Sequence, residues 1–345
     1  MLVSVAVYVP TGETGQDAEA GFLFSLADFE LHVTNMKKIA IIGAGLAGLS
    51  AARELQAAGC DVVIFEKSRS LAGRCSTRLW QGHVVDHGAQ YFTMRDAAFS
   101  KELIRFCGDS IRRLEAPVLT ETGEILPEKT PRYYHVKGNN HLGRRMGEEL
   151  TIHKETPVET IEPVGVKWVV AGQEWDAVLV TAPWPQAEKL LLGAMTPGTF
   201  APNLTALFSY TMPWEGASRE IYARSWQNDD LTWSACENHK SGRILEGQVV
   251  FVVQAGQAFS EKWLEAEPAE WAVLLRSLLE VRWKLNAASF SGQMMHRWRY
   301  ARVIQKIPEP TLPAGLYVSG DAFSESRVES AWLAGRHVAQ KILEN

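Results

Sequence analysis

The sequence predicts an α/β fold, in which a parallel sheet of the dinucleotide-binding type is joined by a second, α+β domain on a mixed or antiparallel sheet. Three observations lead to this prediction. A strand, a glycine-rich turn, a helix and a second strand follow one another between residues 38 and 66. The segment from Gly315 to the C-terminus again contains a candidate strand, a glycine and a candidate helix in that order. Between these segments, seven of the 12 tryptophans lie from Trp214 to Trp298, among candidate strands, which indicates a separate aromatic core.

Charge and cysteine content exclude several classes of protein. The chain has 345 residues and a formal net charge of -5. Residues 1–35 contain five acidic and no basic residues, so the remainder is balanced. A protein whose charges are balanced in this way shows no general preference for nucleic acid or an anionic membrane surface. The four cysteines are widely spaced and match neither a zinc site nor a disulfide framework, so we expect reduced thiols. They are Cys60, Cys75, Cys107 and Cys236.

The start of the chain carries no recognisable targeting signal. Leu2–Val9 is apolar but has no basic residue before it, and a mitochondrial transit peptide would contain arginine. The longest apolar run, Ile39–Ala52, is too short to span a bilayer. We therefore expect a cytoplasmic protein. We also expect residues 1–35 to be a disordered or mis-assigned extension before a natural start at Met36; the alternative is a short accessory strand and an amphipathic helix over Gly21–Leu31.

Apolar runs and helical spacing predict the main elements. Ile39–Ile42 and Asp61–Phe65 are predicted as buried parallel strands around a helix from Ala47 to Ala58, with Gly59 at its C′ position. Further strands are predicted at Trp168–Val170, Ala177–Val180, Val249–Val253 and Leu316–Ser319, and further helices at Ala97–Phe106, His141–Leu150, Pro185–Leu192, Ala269–Val281 and Glu329–Leu343.

The first chemical signal is Gly43-x-Gly45-x-x-Gly48, directly after a strand and at the start of a helix. Gly43 permits a tight turn, Gly45 permits close approach of a pyrophosphate, and Gly48 permits close helix packing. The free N–H groups and the dipole of the helix favour a diphosphate there. Glu66 ends the second strand, where a carboxylate can accept ribose hydroxyl protons and repel an NADP 2′-phosphate. This unit suits NAD and FAD equally.

A second motif follows Glu66. It consists of Gly73-Arg74 and then Asp86-His-Gly88-Ala89-Gln-Tyr-Phe. It resembles the flavin amine oxidase superfamily, which implies that Arg74 contacts an FAD pyrophosphate and that the Gly88-Ala89 pair lies against the flavin ring. Many members have two glycines before the arginine, whereas this chain has Ala72 at the first of them. The alternative for Arg74 is a solvated surface cation.

The third signal is Gly315–Asp321, followed by Arg327 and a helix. A strand that ends in Gly320-Asp321 places a carboxylate where a ribityl or phosphate-linked hydroxyl can donate to it. A helix that starts near Val328 directs its positive end at the flavin N1–C2=O edge. An NAD-only enzyme has no need of this element, so the combination favours FAD. The alternative for Asp321 is a helix N-cap.

Together these segments resemble the renalases and their bacterial relatives within that superfamily. The resemblance rests on Gly88–Thr93, His296–Ala301, Gly320-Asp321 and Arg327–Trp332, and covers most of residues 36–345. It implies oxidation of isomeric dihydronicotinamides of NAD(P)H by FAD, with oxygen reduced to hydrogen peroxide. It also implies substrate positioning close to the flavin by Trp298, Arg299 and Tyr300.

These signals define the expected domains and cofactor site. Residues 36–100, 138–185 and 296–345 are expected to form the FAD-binding domain, of the glutathione-reductase-like, amine oxidase type, and residues 101–137 and 186–295 the substrate domain. Non-covalent FAD is expected because no cysteine or histidine lies in a flavin-linking motif. The expected cofactor-binding residues are Gly43, Gly45, Ala47, Gly48, Glu66, Lys67, Gly73, Arg74, Gly88, Ala89, Gln90, Tyr91, Val158, Gly320, Asp321, Arg327, Val328, Glu329 and Ala331.

Two other function classes stay open. The first is an amine oxidase or carotenoid-desaturase relative on the same FAD frame, and the second is a flavin-binding protein without turnover. Cations at the pocket rim, such as Arg299, favour a phosphate-bearing substrate, whereas an aromatic cage without cations favours an amine. No metal-ligand motif, P-loop or nucleophile elbow is present, so no metal is expected. The expected partners are a small-molecule substrate and O2, with no nucleic acid and no membrane.

Overall fold

The computed structural model describes residues 36–193 and 199–345, which belong to the compact unit Met36–Asn345. The expectations for residues 1–35 lie outside the described residues. The described part contains eight α-helices, at Leu46–Ala57 (α1), Ala97–Cys107 (α2), Asn140–Met146 (α3), Trp184–Leu192 (α4), Ala217–Glu220 (α5), Gln257–Trp263 (α6), Pro268–Trp283 (α7) and Val328–Glu344 (α8). None of these described helices is long and apolar enough to cross a membrane.

A parallel five-stranded sheet carries the dinucleotide-type signals. Its strands are Lys38–Ile42 (β1), Asp61–Phe65 (β2), Thr151–His153 (β8), Ala177–Val180 (β12) and Leu316–Val318 (β18), in the order β18-β12-β1-β2-β8. Its central strands are buried on both faces, as expected for a parallel sheet covered by other layers. α1, α2, α3 and α8 contribute to the core on one face. A small antiparallel sheet packs against the other face and consists of Glu162–Val164 (β9), Lys167–Val170 (β10) and Gln173–Trp175 (β11).

The second domain is built on a six-stranded mixed sheet. Its strands are Val118–Leu119 (β6), Phe200–Thr211 (β13), Ala223–Ser225 (β14), Leu231–Cys236 (β15), Gln248–Ala255 (β16) and Phe290–Val303 (β17). Their order is β17-β13-β16-β15-β14-β6, and the β14–β6 pair is parallel. One face packs on α6 and α7, and five of the tryptophans predicted as aromatic core lie in or against this cluster. Two antiparallel pairs complete the described strands, Thr77–Trp80 (β3) with His83–Asp86 (β4), and Ile111–Arg113 (β5) with Tyr133–His135 (β7).

The predicted fold class is confirmed, and each predicted strand or helix between residues 36 and 345 matches an element of the same type, with ends that differ by at most a few residues. Gly59 occupies the C′ position of α1 with φ +84°. Its N–H donates to the carbonyl of Gln56, and the next N–H donates to that of Leu55, which is a Schellman motif.

Three elements near the expected domain boundaries pack as follows. Phe99, Leu103 and Cys107 of α2, which spans the expected boundary at residue 101, lie in the core of the parallel sheet. α4 also packs on that sheet. By contrast, β17 stays in the second sheet as far as Val303, beyond the boundary expected at residue 296.

A buried charge cluster joins the two domains. Asp86, at the end of β4, accepts hydrogen bonds from Lys240 (3.0 Å) and Arg243 (2.6 Å), which lie between β15 and β16. Lys240 also contacts Glu237 at 2.7 Å, and all four side chains are fully buried. Burial alone would raise the pKa of Asp86, but the charges of Arg243 and Lys240 hold it well below its ordinary value. Since Asp86 directly precedes His87, the cluster fixes the segment that enters the site.

Lys240→Met should destabilise the fold strongly, because it leaves two buried carboxylates against the single cation of Arg243. The free energy of unfolding, measured by urea denaturation, should fall by about 3–5 kcal/mol.

The charge-balanced double variant Lys240→Met/Glu237→Leu is the control. Replacing a whole buried ion pair by apolar side chains is often nearly neutral, so most of the loss should be recovered. A double variant as unstable as the single one would show that charge imbalance is not the cause.

Candidate functional site

A cavity of about 2140 Å³ opens at the carboxyl ends of the parallel strands and extends to the second sheet. This edge is where open α/β sheets bind their ligands. The glycine-rich turn after β1, Glu66 after β2, Thr181 after β12 and Gly320 after β18 all line it. Segments from the beginning and the end of the described chain therefore meet around one space, which is about twice the upper end of an ordinary small-molecule pocket.

The glycine-rich turn has the local geometry that the spacing predicts. Gly43 has φ +109°, in the region that favours glycine. A Cβ on Gly48 would lie 2.0 Å from the carbonyl oxygen of Gly43, so only glycine fits there, but Gly48 itself does not line the cavity. A Cβ on Gly45 would meet no atom within 4 Å, and this residue does line the cavity. α1 begins there without a side-chain cap, so its first N–H groups remain available to an anion.

The carboxylate of Glu66 is buried and holds the loops around it. One oxygen accepts the N–H of Ala44 and the other that of Ser68, both at 2.8 Å. Lys67 beside it donates to Gln186 at 3.0 Å, and Val158 lines the same wall. A carboxylate has about four acceptor positions, so two bonds leave capacity for ribose hydroxyls.

Arg74 and Asp321 form a bidentate ion pair across the domain, with N–O distances of 2.6 and 2.7 Å. Arg74 is therefore not a solvated surface cation. Asp321 is buried and also accepts from the hydroxyl of Ser326 at 2.8 Å; its side chain caps no helix. The carboxylate that was expected to accept a ligand hydroxyl is thus occupied largely by Arg74 and Ser326. The pair ties the turn after β2 to the segment after β18.

The turn before Arg74 carries backbone strain. Ala72 has φ +81° and is buried. Its N–H donates to the carbonyl of Ala44 at 2.9 Å, which fixes the turn against the glycine-rich loop. Gly73 follows with φ +53°.

The Gly88-Ala89 pair docks on the backbone of Arg74. A Cβ on Gly88 would lie 2.0 Å from the carbonyl oxygen of Arg74, and the N–H of Ala89 donates to that oxygen at 2.9 Å. Gln90 donates to the carbonyl of Asp86 and accepts from the indole of Trp233. The run from Gly88 to Tyr91 therefore forms a fixed wall between the parallel sheet and the second sheet.

At the start of α8, the structure separates the expected cofactor residues into two groups. Arg327, Val328 and Ala331 line the cavity together with Gly320, and α8 has no side-chain cap. Glu329 does not line the cavity. Its buried carboxylate accepts the backbone N–H groups of Arg95 and Asp96, both at 2.6 Å, so it holds a loop in place instead. Its expected cofactor contact is therefore not supported by its position.

The three residues expected to position a substrate do not share one face. Trp298 donates to the carbonyl of His87 at 3.1 Å, and its ring stacks on the His87 imidazole with centroids 5.4 Å apart. Tyr300 lies near the parallel sheet, with its ring edge-to-face to Phe200. Arg299, at the cavity rim, forms an ion pair with Glu265 at 2.5 and 2.8 Å. In the described structure this cation is therefore paired with an exposed carboxylate at the rim.

A row of side chains across the second sheet faces the wall formed by Gly88 to Tyr91. This row was not predicted from the sequence. His296, Thr205, Gln254 and Trp233 are register partners on β17, β13, β16 and β15, so their side chains share one face. Gln254 donates to the carbonyl of Gly88 at 3.4 Å. The alternation of His296, Trp298 and Tyr300 along β17 is the signal that could have found it.

His87 and His296 are neutral at neutral pH. Burial, with the nearby His296 and Arg78, lowers the pKa of His87 to about 3. Burial and Arg78 lower the pKa of His296 to about 4. The two rings contact edge-to-face with centroids 4.8 Å apart. Imidazoles with such pKa values are poor general bases near pH 7.

Acidification should destabilise the protein through His87. Its pKa is about 3 in the folded state against an ordinary value of 6.5, so the unfolded chain binds the proton first. The stabilisation is complete above pH 6.5 and is lost as the pH falls towards 3. It amounts to at most a few kcal/mol. His87→Leu should therefore weaken the fall in melting temperature between pH 6.5 and 4. His337→Leu, at an exposed position of α8, is the control; equal slopes in both variants and the parent would contradict the prediction.

Comparison with known proteins agrees with this architecture. Residues 41–107 match the family model of the NAD(P)-binding Rossmann-like domain. Protoporphyrinogen oxidase 2, chloroplastic/mitochondrial, from Arabidopsis thaliana is 32% identical over 69 residues, which are 20% of this chain and 14% of that protein. The 4,4'-diapophytoene desaturase (4,4'-diaponeurosporene-forming) of Staphylococcus aureus is 38% identical over 71 residues, 21% of this chain and 14% of that protein. The match thus spans about a seventh of these relatives' length.

Solved structures match over nearly the whole chain. A candidate protoporphyrinogen oxidase from Exiguobacterium sp. 255-15 superposes with a TM-score of 0.71 at 14% identity, over 90% of this chain and 99% of that one. Putrescine oxidase bound to putrescine superposes with a TM-score of 0.65 at 13% identity, over 90% and 99% of the two chains. The chain therefore has the fold shared by the amine oxidase and protoporphyrinogen oxidase structures, with a Rossmann-like dinucleotide-binding domain at residues 41–107.

Proposed function

We propose that this protein is an FAD-dependent oxidoreductase that oxidises a dihydronicotinamide. The observation that carries the proposal is the continuity of the cavity, which runs from the glycine-rich turn after β1, past Arg74 and Gly88, to Trp298 on the second sheet. A mononucleotide would need only the first part of this space. The similarity to amine oxidase and desaturase proteins supports the same cofactor.

The residues of the cavity fit FAD. The uncapped N-termini of α1 and α8 both face it, and each provides backbone N–H groups for an anion. Glu66 has acceptor capacity for ribose hydroxyls, and Arg74 lines the same cavity. When bound, FAD supplies the acceptor for hydride transfer. The chain's own part is to hold the ring system, exclude water and orient the substrate.

The second sheet favours a flat substrate that needs no deprotonation. Trp298 is held by its hydrogen bond to His87 and by ring stacking, so it forms a rigid wall. The imidazoles nearest to it, His87 and His296, have pKa values of about 3 and about 4 and would accept a proton poorly. A dihydronicotinamide loses hydride without first losing a proton. The overall reaction is dihydronicotinamide + O2 + H+ giving the pyridinium + H2O2.

An amine oxidase function is the second candidate, and one observation favours it. Asp229, Asp230 and Glu261 lie on the lining of the cavity and would attract an ammonium group. Asp229, however, already forms an ion pair with Arg282 at 2.8 Å. Over the whole lining, ten Lys and Arg residues stand against six Asp and Glu residues, which favours an anionic ligand.

Glu66→Arg should abolish FAD binding, because it places a cation where ribose hydroxyls need an acceptor and it removes two loop hydrogen bonds. Glu66→Gln should be milder: one hydrogen bond to a charged group contributes about 1.5–3 kcal/mol, so affinity should fall by about tenfold or more. Flavin absorbance per protein after gel filtration measures both, and Glu174→Arg, an exposed site on β11, is the matched control. Wild-type protein that takes up no added FAD would refute the cofactor assignment.

Anaerobic mixing with candidate donors tests the reaction. The 2- and 6-dihydro isomers of NAD(P)H should bleach the flavin absorbance rapidly. Ordinary 4-dihydro NADH should be slow, because small displacements from the reactive geometry are costly. Bleaching by putrescine and other amines alone would replace this proposal with the second candidate.

A further inference from the structure

Arg78 is a partly buried arginine of the cavity lining without a counter-charge. By contrast, Arg74 pairs with Asp321, and Arg297, which also lacks an ion pair among the described residues, donates to the carbonyl of Ala266. Within residues 36–193 and 199–345, the side chain of Arg78 makes no hydrogen bond and no ion pair, and its Nε atom is buried without a partner. Since a buried polar atom without a hydrogen-bond partner is costly, the described contacts give no structural reason for an arginine at this position.

The position of Arg78 directs it to the substrate side of the cavity. It lies on β3 opposite Val85, whose side chain packs against the second sheet with Leu207 and Val252. It therefore shares the hairpin face that looks towards the second sheet, and it lines the same cavity as His296 and Trp298. Its charge acts on both His87 and His296, which shows that the three side chains are near one another.

A second group without a hydrogen-bond partner lies beside Arg78. The Nδ1 atom of His87 is buried without a hydrogen-bond partner, and His87 as a whole is only 1% exposed. The His296 ring contacts His87 and Trp298 but has no hydrogen bond to any described residue. A guanidinium with free N–H groups and two imidazoles, each with one N–H donor in the neutral form, together form a set of donors without an acceptor.

We propose that Arg78, with His87 and His296, binds an anionic group of the substrate, a carboxylate or a phosphate. This inference rests on the proposed function in placing the substrate at this end of the cavity. The planar guanidinium matches the geometry of both anions and can bind either in bidentate fashion. Arg299, the rim cation that the sequence suggested for this role, is paired with Glu265.

Equilibrium binding to the FAD-loaded protein tests the proposal with pairs of ligands that differ in the anion. Benzoate against benzamide probes a carboxylate, and nicotinamide mononucleotide against nicotinamide riboside probes a phosphate. Titration calorimetry should show that wild-type protein binds at least one of the two anion-bearing ligands about tenfold or more tightly than the partner that lacks the anion. The pair that discriminates identifies the anion.

Arg78→Gln should bring that ratio close to one, and Arg78→Lys should retain part of it. Arg105→Gln, at an exposed position of α2, should keep the wild-type ratio. An unchanged ratio in Arg78→Gln, loss of the ratio in Arg299→Gln instead, or absence of any preference in the wild type would overturn the proposal. Loss of FAD from Arg78→Gln would also overturn it, by assigning Arg78 to the cofactor. The benzoate pair contains no nicotinamide, so it tests the anion site separately from the proposed function. If the preference for benzoate depended on Arg78 but dihydronicotinamides did not reduce the flavin, the proposed function would be refuted and the anion site would stand.

Discussion

The buried carboxylate of Asp86 is the interaction on which the geometry of the site depends. Its oxygens accept from Thr77 and from the backbone of Asn139 on the nucleotide side, and from Lys240 and Arg243 on the side of the second sheet. The residues after it run directly along the cavity, so their placement follows from this anchor. Desolvated ion pairs of this kind contribute little net stability but penalise any arrangement that separates them. The cluster therefore specifies how the two sheets face each other.

A similar constraint acts within the nucleotide domain. The bidentate pair of Arg74 and Asp321 joins positions 247 residues apart in the sequence. Both residues belong to motifs that were expected to contact a cofactor directly, yet two hydrogen bonds join them to each other. Their contribution to cofactor binding thus includes closing the cavity wall as well as any direct contact. Glu66 and Glu329 act in a comparable way, since each accepts two backbone N–H groups and fixes a loop.

What could be predicted from the sequence was mostly local. The turn after β1, the glycine after α1 and the acid that ends β2 all follow from spacing within one short βαβ unit, because backbone geometry dictates those residue types. The partners of charged side chains could not be predicted in this way. Lys240 lies 154 residues from Asp86, and Glu265, in the turn after α6, lies 34 residues from Arg299. Nothing in the local pattern distinguishes an arginine that is neutralised from one, such as Arg78, that is not.

The order of the strands has a consequence for biosynthesis. The parallel sheet is completed by β18, and the cavity by the start of α8, both of which are translated after every other strand of the two large sheets. Gly335 of α8 packs so closely on α1 that an added Cβ would lie 2.1 Å from the carbonyl oxygen of Ala47. While the nascent chain is still short of α8, this surface of α1 has no partner and the dinucleotide cavity lacks one wall. Cofactor capture is consequently a late event in the maturation of the polypeptide, and a ribosome-bound intermediate would expose an apolar helix face for most of its synthesis.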